Sequence, residues 1–255
     1  MLDLRDIEMR HGARTVLAVP ELSLSGSAFT AIIGHNGSGK STLMSLMARQ
    51  QKPSSGRLIL DGADLHGISQ RDLARRLAFL PQLLADVPGL DVRELVGLGR
   101  YAWRGALGIW KDEDRQAVED ALVATDLTSY ASRMVDQLSG GERQRAWIAM
   151  LIAQQSPLLL LDEPTSALDL VHQYGVMSLL RGLNRSAGRG VVVVLHDVNL
   201  AARFSDRVIA LKDGRIAFDG PPAELMSGRL LSELYGIDIR LLPHPDDAHP
   251  IAIVA

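Results

Sequence analysis

A glycine-rich turn at residues 34–41 contains the first residues whose types and spacing could do chemistry. It reads Gly-His-Asn-Gly-Ser-Gly-Lys-Ser and lies between the predicted buried strand Phe29–Gly34 and a helical pattern that begins near Lys40. Glycines let backbone N–H groups turn inward around phosphate oxygens, and the N-terminus of the next helix adds positive potential. The strand-turn-helix context favours a nucleotide-phosphate site over a glycine turn in front of an ordinary helix.

Two residues of this turn have specific predicted roles. The Lys40 ammonium would reach the β- and γ-phosphates, and the Ser41 hydroxyl would ligate Mg²⁺. The residues predicted to bind the nucleotide here are Gly34, Asn36, Gly37, Ser38, Gly39, Lys40, Ser41 and Thr42.

Adjacent carboxylates at the end of a second aliphatic run could complete a hydrolytic site. Four leucines, Leu158–Leu161, are followed by Asp162 and Glu163. Asp162 could hold the Mg²⁺ shell through water, and Glu163 is placed to take a proton from an attacking water. Strand-end carboxylates can also simply cap a loop, but their combination with the phosphate turn favours the catalytic interpretation.

The segment Leu138–Glu142, with the sequence Leu-Ser-Gly-Gly-Glu, predicts a second anion-binding helix N-terminus. Ser139 and Glu142 have the spacing of a capping box before a helix expected from Arg143 to about Gln154. Capping does not explain why Gly140 and Gly141, which are poor helix formers, occupy the first turn. Two glycines there would let an anion approach bare N–H groups. Since one nucleotide needs only one such phosphate-binding site, we expect the second site to bind the nucleotide of another subunit.

Short apolar runs alternate with longer helical patterns, which predicts an α/β fold with a largely parallel sheet. A hairpin is predicted over Arg207–Gly220, where Asp213-Gly214 is a type I′ turn signal. The other predicted strands are Phe29–Gly34, Arg57–Leu60, Leu77–Leu80, Leu158–Leu161 and Val191–Leu195.

The middle of the chain, from about 86 to 155, shows helical periodicity and no convincing strand. One predicted helix, Arg115–Asp126, has Val118, Ala121, Leu122 and Leu127 at helical spacing. We therefore expect one domain over 1–255, with a sheet-bearing core (about 1–85 and 156–255) and an inserted helical subdomain (about 86–155).

Composition excludes several classes of protein. The 27 basic and 30 acidic residues give a net charge of −3 without a long basic stretch, which argues against nucleic-acid binding. The chain has no cysteine, which excludes disulfides and thiolate chemistry and suits a reducing compartment. The N-terminus lacks the apolar core of a signal peptide. The longest apolar run, Ala146–Ala153, is far below the roughly 20 residues of a membrane span, so any channel must come from other chains.

These motifs together resemble the ATP-binding cassette (ABC) family over nearly the whole chain. The matching elements occur in the family's order: 34–41, Gln82, 138–142, Asp162-Glu163, Ser166–Asp169 and His196. The resemblance implies a P-loop NTPase cassette with a RecA-like sheet core, a small antiparallel β part and an inserted helical subdomain. It further implies ATP and Mg²⁺ as ligands, and a head-to-tail dimer that holds two ATP molecules between subunits.

The resemblance also implies roles for individual residues. Gln82 would contact Mg²⁺ and respond to the membrane partner, Ser139, Gly140, Gly141 and Asp169 would belong to the nucleotide site, and His196 would contact the γ-phosphate. From the residues alone, a histidine after Val191–Leu195 is more typical of a strand-end polar residue.

One position departs from the family pattern. Members usually carry an aromatic residue before the first core strands, where it stacks on adenine, and the best match here is His11. An imidazole can stack, although it is smaller and more polar. The alternative is that His11 is a solvated loop residue and adenine rests on Val16 or Leu17.

Several peptides resemble a narrower group, the ATPases of ferric-hydroxamate siderophore importers. The most discriminating are Gly99–Gly108, which reads GRYAWRGALG, and the LLPHP segment near the end of the chain. The resemblance implies permease subunits, a periplasmic siderophore-binding protein and a location on the cytoplasmic face of the inner membrane. A haem, cobalamin or ferric-citrate importer shares this architecture. A DNA-maintenance ABC ATPase would carry a long coiled-coil insertion, which is missing here. Tyr101 and Trp103 could line the permease groove or pack the helical subdomain.

Overall fold

The computed structural model describes residues 1–105, 108–166, 168–244 and 250–255. Parts of the segments singled out above, namely Ala106, Leu107, Ala167 and Pro245, lie outside the described residues. The chain forms two compact units, and the first comprises Met1–Gly67 and Gly190–Ala255. The second unit is Ile68–Arg189.

The first unit opens with an antiparallel sheet. A long hairpin pairs β1 (Leu2–His11) with β2 (Arg14–Leu24). The other edge of β1 pairs with β4 (Ser55–Leu60), and β4 pairs in turn with the short β5 (Ala63–Asp64). This is the small antiparallel β part that the family resemblance implies.

The second sheet of this unit is centred on β3 (Phe29–Ile33), whose five residues are all buried. Parallel partners flank it, β8 (Gly190–Val194) on one side and β9 (Arg207–Lys212) on the other. Complete burial of β3 and β8 is expected for strands covered on both faces. β9 continues into the antiparallel β10 (Arg215–Gly220).

The predicted type I′ hairpin between these two strands is confirmed. Asp213 and Gly214 adopt φ values of 49° and 74°, both positive as this turn requires.

The described residues of the first unit also form four α-helices, a short 3₁₀ helix (Leu65–Gly67) and a two-stranded C-terminal sheet. The helix α1 (Lys40–Met47) starts where the sequence predicts and buries Leu43, Met44, Leu46 and Met47. The remaining elements are α8 (Val198–Phe204), α9 (Pro222–Leu225), α10 (Gly228–Tyr235), β11 (Ile239–Leu242) and β12 (Ile251–Val254).

In the second unit, the described part of residues 86–155 contains helices and 3₁₀ turns, with a single isolated bridge between Asp91 and Met134. The unit extends beyond 86–155 because the parallel pair β6 (Leu77–Leu80) and β7 (Leu158–Leu161) belongs to it. Its helices are α2 (Gln70–Arg76), α3 (Val92–Leu98), α4 (Tyr101–Arg104), α5 (Asp112–Ala124), α6 (Gly140–Ala153) and α7 (Leu170–Ala187).

Two predicted helix boundaries are wrong by several residues. Helix α5 starts at Asp112 rather than Arg115, and it ends at Ala124 because Asp126 adopts φ 54°. Leu127 is buried but lies beyond the helix. Helix α6 starts at Gly140 rather than Arg143, so both glycines belong to its first turn.

No helix within the described ranges is both long enough and apolar enough to span a bilayer.

Candidate nucleotide site

The phosphate turn follows β3 directly, and its glycines adopt conformations that a side chain would disfavour. Gly34, Gly37 and Gly39 have φ values of 146°, 78° and 102°. A methyl group at Gly34 would lie 2.2 Å from the carbonyl oxygen of Leu211, so the backbone passes there only without a side chain. The turn thus packs closely against β9 at Gly34, while Asn36 and Gly37 at its tip are exposed.

Lys40 folds back over this turn. Its side chain is almost fully buried, and Nζ donates to the carbonyl oxygens of Gly34 at 2.8 Å and His35 at 3.0 Å. Both acceptors are neutral carbonyl oxygens, and these bonds fix the ammonium on the turn. A positive charge fixed on a glycine turn is suited to binding phosphate.

A buried hydroxyl and a helix N-terminus are further features of the turn that suit a phosphate group. The Ser38 hydroxyl is buried and, within the described residues, has no hydrogen-bond partner, which is unusual for a buried polar group. The first-turn N–H groups of α1 have no acceptor inside the helix. Ser41 and Thr42 lie on that same turn and are exposed and half-buried, respectively.

In the second unit, the structure brings Gln82 and Glu163 together. Gln82 follows β6, Glu163 follows β7, and Gln82 Nε2 donates to Glu163 Oε2 at 2.7 Å. The parallel pairing of Leu80 with Leu161 aligns the two strand ends, and the Asp162 N–H donates to the Leu80 carbonyl oxygen at 2.9 Å. Asp162 and Glu163 are both largely buried.

The Glu163 backbone adopts φ 53° immediately after the strand. Few non-glycine residues occupy this region, and an outlier of this kind costs about 1–3 kcal/mol and is typical of functional sites.

The predicted capping box at the start of α6 is confirmed. The Glu142 N–H donates to Ser139 Oγ at 3.3 Å, and Glu142 Oε2 accepts from the Ser139 N–H at 2.8 Å. Hydrogen bonds to the carboxylate from the Ser139 N–H and the Ser139 hydroxyl lower the pKa of Glu142, and a bond from the Tyr130 hydroxyl also contributes. A methyl group at Gly140 would meet no described atom within 4 Å, so this helix start is open to an approaching group.

Three other predicted site residues lie at element ends. Asp169 is the N-cap of α7 and accepts from the His172 N–H at 3.0 Å. Bonds from the His172 backbone and ring lower the pKa of Asp169. His196 follows the buried run that ends at Leu195 and is exposed, and His11 is the exposed last residue of β1.

The structure also places the two alternatives for the adenine contact. Val16 is half-buried and Leu17 is fully buried. A methyl group at Gly39 would lie 3.1 Å from Leu17 Cδ1 and 3.3 Å from the Val16 carbonyl oxygen, so both residues adjoin the phosphate turn.

The two aromatic residues considered for a permease groove differ in their surroundings. Trp103 Nε1 donates to the Gln154 carbonyl oxygen at 2.7 Å, and the guanidinium carbons of Arg75 and Arg100 lie 5.2 and 5.3 Å from its ring centre. Trp103 therefore contacts other residues of the second unit, while 38% of it remains exposed. Tyr101 is 60% exposed and is available to a partner.

Sequence reasoning missed two residues that contact the site. His172 lies three positions after Asp169, and this N-cap spacing could have identified it. Tyr130 contacts Glu142 through a turn between helices, which no local pattern indicates.

A strand, a phosphate turn with a buried lysine and a helix N-terminus define a P-loop nucleotide-binding protein. The ABC transporter family matches residues 17–166. The achromobactin transport ATP-binding protein of Dickeya dadantii is 41% identical over 249 residues, covering 98% of this chain and 93% of that protein. The iron(3+)-hydroxamate import ATP-binding protein of Bacillus subtilis is 39% identical, covering 99% and 94%.

A solved ATP-binding cassette in a dimeric post-hydrolysis state, bound to ADP and Pi, superimposes with a TM-score of 0.78. It is 31% identical, and the match covers 87% of this chain and 99% of that one. The chain therefore belongs to the ABC transporter family. ATP-binding proteins of ABC transporters bind and hydrolyse ATP, and this chain is an ATPase of that class.

Proposed function

We propose that this chain powers the import of a ferric siderophore, of the hydroxamate type, across a bacterial inner membrane. One observation carries the proposal. Near-full-length identity of 39–41% links the chain to two relatives whose names state iron(3+)-hydroxamate import and achromobactin transport. The likeness extends past the family match at residue 166 into the C-terminal part of the chain.

The proposed chemistry assigns one task to each polar group of the predicted site. Lys40 and the backbone N–H groups of the turn bind the phosphates, and His196 contacts the γ-phosphate. Glu163 accepts a proton from the attacking water. The bond from Gln82 supports this role because it orients the Glu163 carboxylate.

Mg²⁺ would be held by Ser41, Gln82 and Asp162, whose oxygens are the hard ligands this ion prefers. When bound, the ion neutralises the charge that develops on the phosphate oxygens. Asp169, the N-cap of α7, would also belong to the nucleotide-binding site.

We further propose that two copies of the chain bind two ATP molecules head-to-tail. In this arrangement Ser139, Gly140 and Gly141 of one subunit complete the site that begins at Lys40 of the other. The open helix start at Gly140 and the dimeric state of the solved cassette support this assembly.

The chain would work on the cytoplasmic face of the inner membrane, bound to transmembrane permease subunits. The cargo would reach that permease on a periplasmic siderophore-binding protein. Nucleic acid has no part in this proposal, in keeping with a net charge of −3.

The test is transport by proteoliposomes that contain the chain and its permease. Binding protein loaded with a ferric hydroxamate should stimulate ATP hydrolysis and uptake, whereas the same complex with Glu163→Gln should show neither. Stimulation by haem, cobalamin or ferric citrate, without a response to hydroxamates, would contradict the cargo and leave the ATPase role intact.

A further inference from the structure

The side-chain amide of Asn199 bonds to the backbone of the C-terminal strand. Its Nδ2 donates to the Ala252 carbonyl oxygen at 3.1 Å, and its Oδ1 accepts from the Ala252 N–H at 2.8 Å. Both groups of a single residue of β12 are therefore bonded to one side chain. We call this pair of hydrogen bonds the amide clamp.

The clamp uses the outer edge of the C-terminal hairpin. Ala252 lies opposite Leu241 of β11 in the antiparallel register. In such a ladder, alternate residues direct both polar groups away from the partner strand. The primary amide of Asn199 has the donor and acceptor of a peptide group, so it bonds to this edge as a neighbouring strand would.

Asn199 is available for this contact because another residue already caps its helix. Asp197 is the N-cap of α8, and its Oδ1 accepts from the N–H groups of Asn199 at 2.7 Å and Leu200 at 3.2 Å. Asparagine has a low helix propensity, so the first turn of α8 gains nothing locally from it. Its amide contributes through the contact with β12.

The clamp lies three residues from His196, which has anchored neighbours on both sides. Before it, the Leu195 N–H donates to the Ile32 carbonyl oxygen of β3 at 3.0 Å. After it, the Asp197 cap and the clamp hold the first turn of α8. The backbone at His196 thus spans a fixed strand end and a helix turn fastened to the C-terminal hairpin.

A second C-terminal residue packs near the same turn. The Tyr235 hydroxyl at the end of α10 is buried and has no hydrogen-bond partner within the described residues. Burial, with a smaller contribution from the Asp197 carboxylate, raises the pKa of Tyr235 to about 12. The phenol therefore stays neutral beside the cap at physiological pH.

We infer that Asn199 is a positioning residue for His196. Through the amide clamp, the C-terminal strand β12 fixes the position of the His196 backbone and so the position of its side chain. The inference rests on the proposed role of His196 at the γ-phosphate. The inference gives residues 250–255, which lie far from the phosphate turn in sequence, an indirect role in ATP hydrolysis.

The test measures ATP hydrolysis by the full-length chain and its variants. His196→Ala should remove most turnover. Asn199→Ala should lower kcat on the order of tenfold, because small displacements of a catalytic group are costly. The KM for ATP should stay within about twofold, since the histidine acts mainly in the transition state. Removal of residues 250–255 should give the same loss, and combining it with Asn199→Ala should add nothing further.

Asn184→Ala is the matched control. Asn184 is another helical asparagine whose amide donates to a backbone carbonyl oxygen, that of Arg189 at 2.8 Å, and it belongs to the other unit. Asn184 is buried, whereas Asn199 is half-buried. This variant should lower the melting temperature and leave kcat unchanged.

Three results would overturn the inference. Wild-type kcat in Asn199→Ala, with His196→Ala inactive, would refute the clamp and spare the proposed function. Multiplied losses in the combined variant would show that Asn199 and β12 act separately. Full turnover in His196→Ala would remove both the role of His196 and the positioning built on it.

Discussion

At the scale of single residues, the proposed reaction depends on charges held at fixed points. Lys40 is fixed by two carbonyl oxygens of its own turn, and Glu163 by the amide of Gln82. Such fixed groups need little reorganisation when charge develops in the transition state. Substitutions that keep the shape and change the charge are therefore the most informative.

Glu163→Gln should bind ATP and lose roughly 10²–10⁴ in turnover, because an amide cannot accept the proton of the attacking water. The variant should also accumulate as an ATP-bound dimer, since hydrolysis normally reopens the interface. Turnover and gel filtration with ATP measure the two effects. Glu113→Gln, an exposed change in the first turn of α5, is the control. Near-normal turnover in Glu163→Gln would remove Glu163 from the role of general base.

His11 is the residue whose predicted role departs most from the family pattern. His11→Tyr should lower the KM for ATP severalfold with little change in kcat, because aromatic stacking adds about 0.5–1.5 kcal/mol and acts equally in ground and transition states. His11→Ala should raise KM by a similar factor. Steady-state kinetics decide between the alternatives. If both variants keep the wild-type KM, His11 is a solvated turn residue and Val16, half-buried beside the phosphate turn, is the better candidate for the adenine contact.

At the scale of elements, a buried arginine joins three helices of the second unit. Arg100, the N-cap of α4, donates to Asp114 Oδ1 of α5 at 2.9 Å and to the carbonyl oxygen of Ala153 at the end of α6 at 2.8 Å. Both side chains of the ion pair are only 5% exposed. Asp114 also accepts from the Lys111 N–H at the start of its own helix.

Asp114→Ala should lower the free energy of unfolding by about 3–5 kcal/mol, because it leaves the Arg100 charge buried without its carboxylate. Urea denaturation of the full chain measures the loss. Asp112→Ala is the matched control, since Asp112 pairs with Arg115 in full contact with solvent and should contribute at most about 1 kcal/mol. Equal, small losses in the two variants would show that the buried pair does not hold these helices together.

At the scale of the whole molecule, two helix starts among the described residues are predicted to bind phosphate. One begins at Lys40 and the other at Gly140, and they belong to different units. A head-to-tail dimer would give each nucleotide one start from each chain. This assembly makes complementation between damaged subunits possible.

Mixing Lys40→Ala subunits with Ser139→Arg subunits should restore ATP hydrolysis that neither homodimer shows. A mixed dimer contains one composite site with both halves intact and one with neither, whereas each homodimer has two half-broken sites. Turnover as a function of mixing ratio measures the effect, and mixing Lys40→Ala with itself is the control. Failure to recover any activity, with mixed dimers present, would exclude independent composite sites.

The features of this protein that could be predicted from the sequence alone are those that join residues close together in the chain. The Asp213-Gly214 turn, the Ser139–Glu142 capping box and the strand-turn-helix around Lys40 all involve groups within a few residues of each other. Their hydrogen bonds close short rings, so residue type and spacing suffice to predict them. The resemblance to the family rests on the order of short motifs along the chain, which include residues 34–41 and 138–142.

Other features were decided by the tertiary structure because they join residues far apart in the chain. Gln82 reaches Glu163 across 81 positions, since parallel pairing brings the ends of β6 and β7 side by side. Asn199 reaches Ala252 across 53 positions, since the chain returns along α8 as the hairpin of β11 and β12. An exposed asparagine and a bonded one look alike in a sequence. The path of the backbone brings the Asn199 amide to the edge of β12, where it bonds to Ala252.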